Sequence, residues 1–457
     1  MSFTDYLKKI PVINRLVSIL GIDKAIFYTV LGTVWSSIAG IIGIFFIIKY
    51  LTIVEQGYWY TFISLGALTV FAELGFTAII TQFISHEYAH LTEMNGRLYG
   101  EEDRLDRTIS LVKFSFKFYL IITLIAFVLL SIIGVVFFMH STNNFQLLMA
   151  WVLYSFTGAF ALLVSLFGSI LRGFNKVERA QKIITLVGFA SSIGIWYGLY
   201  AGFSLYALAI GGLVNIILSL ILFFSSSRTL WSQLFRSKVT GKYNWLKETL
   251  PLQWRYAISW TSGYFIFQFM VPVAMFYAGA AAAGKLGLAL VMVRTLQGMA
   301  TSWGITKIPH FNIYVAQKKH NELNNLFNTM QKQSLFMYII VSIAFILTVI
   351  FIFPLINWNT RILPVDQIII LLLAEGVNLI IFNWAYYLRS HKQEPFMRIS
   401  VLSAIITAVG VWLSFYLFKS TSIALCGYLA AQLIILLPAR RILVSKRKDY
   451  ENGEIGY

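Results

Sequence analysis

The chain has 457 residues, of which 58% are hydrophobic and only 12% are charged, and its net charge at pH 7 is +17. Soluble domains carry about 25% charged residues, so this composition excludes a soluble globular protein. The mean hydropathy of +0.75 points to a membrane protein. The sequence contains no Walker A, GxSxG or HExxH pattern, and its single cysteine excludes a cysteine-built metal site. We therefore expect a non-enzymatic protein without a metal site.

Twelve apolar runs recur along the chain, and each is long enough to cross roughly 30 Å of hydrocarbon. They lie at about 25–49, 57–83, 114–139, 146–171, 183–200, 204–224, 256–279, 285–306, 333–357, 365–388, 397–418 and 421–439. Before them, residues 1–24 place apolar side chains at helical spacing among basic ones, which indicates an amphipathic interfacial helix or, alternatively, a plain polar leader. The prediction is an all-α polytopic membrane protein with about twelve transmembrane helices.

A polar segment at 225–250 divides the predicted helices into six and six. The turn after the first helix, YLTIVEQG, ends at Gly57, and the turn after the seventh, YAGAAAAG, ends at Gly284, 227 residues later. Transporters are often built from such repeated halves. We predict an N-terminal half at 1–224, a cytoplasmic linker at 225–250 and a C-terminal half at 251–457 with a basic tail. The two halves are expected to be pseudo-repeated around a central cleft.

The basic residues are distributed unequally between the two sides of the predicted membrane. Of the 36 Lys and Arg residues, 31 fall in segments that an inside N-terminus places in the cytoplasm, and four fall outside. This skew follows the positive-inside rule and predicts that both termini are cytoplasmic. The basic excess therefore reflects topology, and no nucleic-acid partner is expected.

The remaining cation, Arg294, lies inside the eighth predicted helix. It is about ten residues from the helix start, or roughly 15 Å deep at 1.5 Å per residue. Gln297 and Thr301 lie on the same helical face and form a polar stripe with it. Intramembrane ionisable residues face the bundle interior, an aqueous path or one another, so this stripe is a candidate binding surface.

Two acids also lie inside predicted helices. Glu375 is at a depth similar to that of Arg294, with Asn378 one turn later, and Glu73 lies in the second helix. All three residues are candidates for carrying a coupling ion. The alternatives are structural: Arg294 and Glu375 would simply neutralise each other, and Glu73 would hydrogen-bond a neighbouring helix.

The second predicted helix carries the pattern that indicates a family. It begins with EQGYW at 55–59 and continues to AELGF at 72–76. With twelve helices and a basic mid-chain linker, this pattern resembles Wzx-type polysaccharide flippases of the multidrug/oligosaccharidyl-lipid/polysaccharide exporter superfamily. The chain departs from the family in one respect: the basic residue that often follows this motif is missing, and no Lys or Arg occurs between the motif and Arg97.

The resemblance implies a function. A polyprenyl-pyrophosphate-linked oligosaccharide, such as an O-antigen, capsule or exopolysaccharide repeat unit, would move from the inner to the outer leaflet of the bacterial cytoplasmic (inner) membrane by alternating access. The expected partners are this lipid-linked oligosaccharide, membrane lipids and other polysaccharide-assembly proteins. No cofactor is expected beyond a coupling H⁺ or Na⁺. Arg294 would bind the diphosphate, because a guanidinium can grip phosphate oxygens at two points.

The alternative is an ion-coupled multidrug or small-metabolite exporter of the same superfamily. The two functions differ in the charge of the cavity, which should be cationic for a diphosphate and anionic for a cationic drug. A membrane-embedded glycosyltransferase is disfavoured, since the predicted outer loops are too short to hold a catalytic site.

Overall fold

The structure is a computed structural model. It describes residues 24–140, 144–238, 250–391 and 395–451. Within these ranges the chain is helical apart from connecting turns and one two-stranded antiparallel sheet. The amphipathic helix predicted at 1–24 lies outside the described residues except for Lys24. Residues 239–249 of the predicted linker also lie outside them.

The helices and strands are numbered in chain order. Up to the linker they are α1 Lys24–Tyr50, α2 Ile53–Gly66, α3 Val70–Glu73, α4 Phe76–Tyr88, β1 Leu91–Met94, β2 Arg97–Gly100, α5 Glu102–Met139, α6 Phe145–Gly173, α7 Val177–Tyr200, α8 Tyr206–Ser226 and α9 Arg228–Arg236. After it they are α10 Leu250–Phe267, α11 Met270–Ala278, α12 Ala280–Ala316, α13 His320–Leu347, α14 Phe353–Leu355, α15 Val365–Arg389, α16 Met397–Phe418 and α17 Thr421–Glu451. A 3₁₀ turn joins α2 to α3, and a π-helical turn joins α13 to α14.

Ten helical segments in the described ranges are long and apolar enough to cross a membrane. The pair Ile53–Glu73 and Phe76–Tyr88, bent by 41°, makes eleven if it is one span. The eighth crossing, predicted at 285–306, falls within α12, which has 37 residues and is not among the ten. The all-α polytopic fold class is confirmed. The division into six-helix halves at 1–224 and 251–457 stays a prediction.

The second predicted crossing is not one continuous helix. After Glu73, both Leu74 (φ 50°) and Gly75 (φ 72°) adopt the left-handed conformation, and α4 starts at Phe76. Two successive left-handed residues cannot continue a right-handed helix, and only glycine adopts this conformation without steric cost. The AELGF stretch of the family-like pattern is therefore a helix break with an acid at its edge.

The described residues fold into two compact units. The first contains those of 1–50 and 68–257, and the second contains 51–67 and 258–457. The first unit has a core in which Phe76, Tyr119, Phe167 and Trp231 are buried together. The Trp231 indole N–H donates to the Phe223 carbonyl of α8 at 2.8 Å, and this contact fixes α9 against α8.

A β-hairpin joins α4 to α5 in the first unit. Its two-residue turn is Asn95–Gly96, with φ values of 51° and 77°, as an Asn-Gly hairpin turn requires. The side chain of Gln233 in α9 bonds to both the N–H and the C=O of Leu98 at 2.8 Å, as a neighbouring strand would. The linker helix is thus attached to the hairpin.

In the second unit, the start of α2 is fixed by the residues of the EQGYW motif. Thr52 and Glu55 form a capping box at the helix N-terminus, which satisfies two backbone donors. The Gln56 side chain is fully buried, and its Nε2 donates to the carbonyls of Gly284 (2.8 Å) and Arg361 (3.0 Å). The motif therefore holds α2 to α12 and to the turn before α15.

The helices α2 and α12 cross at glycines. A Cβ atom on Gly57 would lie 2.0 Å from the Ala280 carbonyl oxygen, and one on Gly284 would lie 2.9 Å from the Gly57 nitrogen. The two glycines that the sequence relates at a spacing of 227 residues are thus in direct contact. Gly287, one turn later, packs against Tyr60 in the same way. This crossing brings the following turns of both helices together.

His391 lies in the turn after α15 and connects it to the end of α17. Its ring stacks on Tyr450 with centroids 3.7 Å apart and planes at 5°. The side chain is buried, its Nδ1 is 3.1 Å from the Tyr387 carbonyl, and its Nε2 has no hydrogen-bond partner among the described residues. Burial lowers the pKa of His391 from its usual 6.5 to about 4.

This burial predicts a pH-dependent stability. Between pH 6.5 and 4 the unfolded chain binds a proton at His391 and the folded chain does not, so the stability present above pH 6.5 should be lost as the pH falls towards 4. Melting temperatures of the detergent-purified protein should fall less steeply over this range in His391→Asn than in the wild type. Exposed His86 supplies the control His86→Asn, which should retain the wild-type slope. Equal slopes in the wild type and His391→Asn would contradict the prediction.

Candidate functional site

The site centres on an ion pair between α12 and α15 of the second unit. Arg294 Nε lies 2.9 Å from Glu375 Oε1. The carboxylate is fully buried, whereas the arginine side chain is 23% exposed. The pair is therefore asymmetric, because the anion is enclosed while the cation still reaches open space.

The carboxylate of Glu375 is held by further donors. Asn378 Nδ2 donates to Oε2 at 3.0 Å, and the Tyr428 hydroxyl donates to Oε1 at 3.1 Å. Asn378 also donates to the Tyr428 hydroxyl at 2.9 Å, so these residues form a closed network. Such a network compensates the cost of burying a charge.

A helix break supplies the other partner of Arg294. Pro272 has no N–H with which to bond the carbonyl of Gln268 four residues earlier, and α10 ends at Phe267 before α11 begins at Met270. The Phe267 carbonyl at this break accepts a hydrogen bond from Arg294 Nη1. The break after Phe267, next to the carbonyl that Pro272 leaves unbonded, thus supplies an acceptor that helps to aim the guanidinium.

The guanidinium faces a cavity of about 330 Å³ within the second unit. Residues of α2, α10, α11, α12 and the α10–α11 break line it, namely Tyr60, Ile63, Ser64, Phe267, Gln268, Val271, Gly287, Leu290, Val291, Arg294 and Thr295. Among these, Arg294 is the one charged side chain. The Tyr60 hydroxyl is buried and has no hydrogen-bond partner among the described residues. The cavity therefore combines one cation with several neutral hydrogen-bonding groups.

The other two residues of the predicted polar stripe, Gln297 and Thr301, do not line the cavity. Gln297 is buried and donates to the Glu375 backbone carbonyl at 3.0 Å. Thr301 is also buried and donates to the Gln297 carbonyl at 2.8 Å. Both side chains join α12 internally or to α15, and neither is among the cavity-lining residues. Their predicted role in binding substrate stays a prediction.

Glu73 is in the first unit, at the helix break between α3 and α4. It accepts a hydrogen bond from the Thr77 hydroxyl and is partly exposed. It also interacts electrostatically with Arg172, at the end of α6, and with Tyr119. The Arg172 Nη2 donates to Ser169 at 2.9 Å. Glu73 is thus a half-buried acid near a cation, unlike the enclosed Glu375.

Sequence reasoning missed the residues that complete the cavity. Ser64 and Gln268 lie 204 residues apart, with Oγ and Oε1 separated by 3.4 Å. Isolated Ser and Gln residues in apolar helices carry no pattern that distinguishes binding from packing. The one available signal was Pro272, because a proline inside an apolar run predicts a helix break or kink just before it, where Phe267 and Gln268 lie.

Solved structures with a similar fold are transporters of the MOP superfamily. The lipid II flippase MurJ in an inward closed conformation matches with a TM-score of 0.67 and 12% identity, over 93% of this chain and 90% of that one. An inward-facing multidrug resistance MATE family transporter matches with a TM-score of 0.65 and 12% identity, over 93% of this chain and 99% of that one. A MOP superfamily transporter from Pyrococcus furiosus matches with a TM-score of 0.52 and 14% identity, over 94% of this chain and 98% of that one. Its binding pocket is described as having reverse polarity.

The chain has the fold of MOP-superfamily transporters. No family model matches the sequence, and no curated protein matches it either. At 12–14% identity the likeness establishes the architecture and not the cargo. Fold alone does not determine function, so the cargo has to be argued from the site.

Proposed function

We propose that this chain is a flippase that moves a polyprenyl-pyrophosphate-linked oligosaccharide from the inner to the outer leaflet of a bacterial cytoplasmic membrane. The cargo would be a repeat unit of a surface polysaccharide. Its diphosphate would bind to Arg294, and its hydroxyl-rich sugars would bind to the neutral polar groups of the cavity. The lipid tail would stay in the bilayer throughout.

The observation that carries this proposal is the charge of the cavity. Glu375 pairs with Arg294 but is itself fully buried. The described lining residues of the cavity therefore include the Arg294 guanidinium and no carboxylate. A guanidinium in a partly dehydrated site binds phosphate oxygens through charge-assisted hydrogen bonds, which are about twice as strong as neutral ones. Ser64, Gln268 and Thr295 offer the kind of partners that sugar hydroxyls require.

A multidrug exporter fits this cavity less well. A cationic drug would need an accessible acid, and the acid of this site is enclosed by Arg294, Asn378 and Tyr428. The pocket of reverse polarity in the Pyrococcus furiosus transporter suggests that pocket charge can vary among functions within this fold.

We assign ion coupling to Glu73 rather than to Glu375 and Asn378. A coupling acid must exchange its ion with water during each cycle, and Glu73 is partly exposed whereas Glu375 and Asn378 are buried and bonded to each other. The left-handed residues that follow Glu73 end its helix and leave it at a break rather than in a continuous wall.

Neutral substitutions of the two acids should therefore behave differently. Glu73→Gln is expected to reduce transport several-fold while the protein remains at normal abundance, because Gln keeps the size and a carbonyl acceptor for Thr77. Glu375→Gln is expected to lower abundance as well, since it leaves Arg294 without its buried counterion. Immunoblots of membranes, compared with glycan display on the same cells, give both quantities. Normal display in Glu73→Gln would refute the coupling role.

The cargo can be tested with the purified chain in phosphatidylcholine vesicles. A fluorescent polyprenyl-pyrophosphate oligosaccharide is placed in both leaflets, and a membrane-impermeant quencher reports how fast the inner pool becomes accessible. We expect rapid exchange for this lipid and background exchange for the same polyprenol without its diphosphate. A cationic dye transported by the same vesicles, with no diphosphate-lipid exchange, would instead establish the exporter and overturn the proposal.

A further inference from the structure

The short helix α9 in the linker has two different faces. Leu230, Trp231 and Leu234 are buried in the core of the first unit. Both ends of the helix are held by basic residues of other helices. Arg179 donates to the Ser226 carbonyl and the Ser227 hydroxyl at 2.9 Å, and Lys113 Nζ donates to the Ser237 carbonyl at 2.5 Å. The helix is thus fixed in place, and its outer face is presented rigidly.

The outer face of α9 forms a groove with the end of α8. This α9 groove has a volume of about 490 Å³. Its exposed apolar side chains are Ile221 and Phe224 of α8 and Phe235 of α9, while the almost fully buried Trp231 only borders it. Arg228 and Arg236 are also among its lining residues. Both arginines are exposed, and neither has an ion-pair or hydrogen-bond partner among the described residues. The groove therefore has an apolar wall beside two available cations.

The apolar wall continues along a membrane-spanning helix. Ile217, Ile221 and Phe224 of α8 have exposed fractions of 56%, 57% and 40%, and they follow one another at one-turn spacing. By length and composition α8 is one of the candidate spans. In a bilayer this stripe would contact acyl chains, and the arginines at its end would lie at headgroup level, where aromatic and basic side chains favour lipid interfaces.

We propose that the α9 groove binds a phospholipid with an anionic headgroup. One acyl chain lies along Ile217, Ile221 and Phe224, and the headgroup phosphate lies between Arg228 and Arg236. The continuity of the groove with a lipid-facing stripe favours a lipid over a soluble protein partner, which would not reach the hydrocarbon. This lipid site is in the first unit and is separate from the Arg294 cavity, so it does not depend on the proposed cargo.

The probe for this site is phosphatidylglycerol with a photoreactive diazirine in one acyl chain, added to phosphatidylcholine vesicles that contain the full chain. Irradiation followed by peptide mapping should label the segment 217–235. A phosphatidylcholine probe with the same acyl chain should label it more weakly. Each Lys or Arg near an anionic lipid strengthens binding about fivefold. The double variant Arg228→Gln, Arg236→Gln should therefore need roughly thirtyfold more probe for half-maximal labelling.

Two controls make the result decisive. The double variant Arg97→Gln, Lys319→Gln removes the same amount of charge from exposed positions outside the groove and should label like the wild type. Soluble glycerol phosphate should not compete, because it lacks the acyl chain. The proposal is overturned if the groove variant labels as strongly as the wild type, if both probes label equally, or if soluble phosphate displaces the probe. A co-purified protein that occupies the α9 groove and prevents labelling by the lipid probe would also overturn the proposal.

Discussion

Cells that depend on this chain for surface glycan are expected to lose glycan display when Arg294 is replaced by alanine. The change removes the one cation of the cavity lining and leaves Glu375 buried with only Asn378 and Tyr428 as partners. Breaking a buried ion pair by removing one partner costs about 3–5 kcal/mol, so the abundance of the protein should fall as well. Glycan display and membrane immunoblots measure the two losses.

The variant Arg294→Lys separates charge from geometry. A lysine restores a counterion for Glu375 and should recover abundance. It has a single ammonium group and cannot bond Glu375 and the Phe267 carbonyl with separate nitrogens while also gripping phosphate at two points. Partial display at normal abundance is expected. Full display would show that the two-point grip is unnecessary, and the phosphate-binding role would then rest on charge alone.

The second large effect is expected at the crossing of α2 and α12. In Gly57→Ala the new methyl group would lie 2.0 Å from the Ala280 carbonyl oxygen and 2.6 Å from its carbon. These are backbone atoms, so no side-chain rotation can relieve the overlap. Overpacking costs about 1–3 kcal/mol and sometimes more. Since two helices must separate to admit the methyl, we expect the upper end of this range and a large loss of folded protein.

Gly40→Ala is the matched control for this prediction. Gly40 is also in a helix, and a Cβ atom there would have no other atom within 4 Å. Alanine is favoured over glycine in helices by up to about 1 kcal/mol, so this variant should be as stable as the wild type or slightly more so. Melting temperatures in detergent report both changes. Equal melting of Gly57→Ala and Gly40→Ala would show that the observed close approach of α2 and α12 does not limit stability.

The membrane class and most helices were predictable because they depend on local composition. Apolar runs of sufficient length have one physical solution in a bilayer, namely helices that satisfy their own backbone hydrogen bonds. The hairpin at Asn95–Gly96 was not predicted, although the Asn-Gly dipeptide is a strong sequence signal for a two-residue hairpin turn. The break at Leu74–Gly75 was harder to predict, because the left-handed conformation of Leu74 contradicts the local preference of a leucine.

The site was predictable only in part. Depth along the helices placed Arg294 and Glu375 at a similar level, but whether two residues 81 positions apart would touch depended on how α12 and α15 pack. Helical periodicity grouped Gln297 with Arg294 correctly, since both bond to Glu375 of α15. It could not show that, of the stripe residues Arg294, Gln297 and Thr301, only Arg294 would line the cavity. The cavity face is set by α2 and the α10–α11 break, and no one-dimensional pattern links these segments.

The central claim is that Arg294 binds the diphosphate of the cargo, beyond its pairing with Glu375. The most direct test is the binding of a water-soluble, short-chain polyprenyl diphosphate to the purified double variant Arg294→Gln, Glu375→Gln. This variant removes both charges together and leaves neither group buried as an unpaired ion, so it should melt near the wild-type temperature. Hydrogen bonds to charged groups contribute about 1.5–3 kcal/mol, so the dissociation constant should rise by at least about tenfold. A folded double variant that binds the diphosphate as tightly as the wild type would contradict the account and leave a structural ion pair.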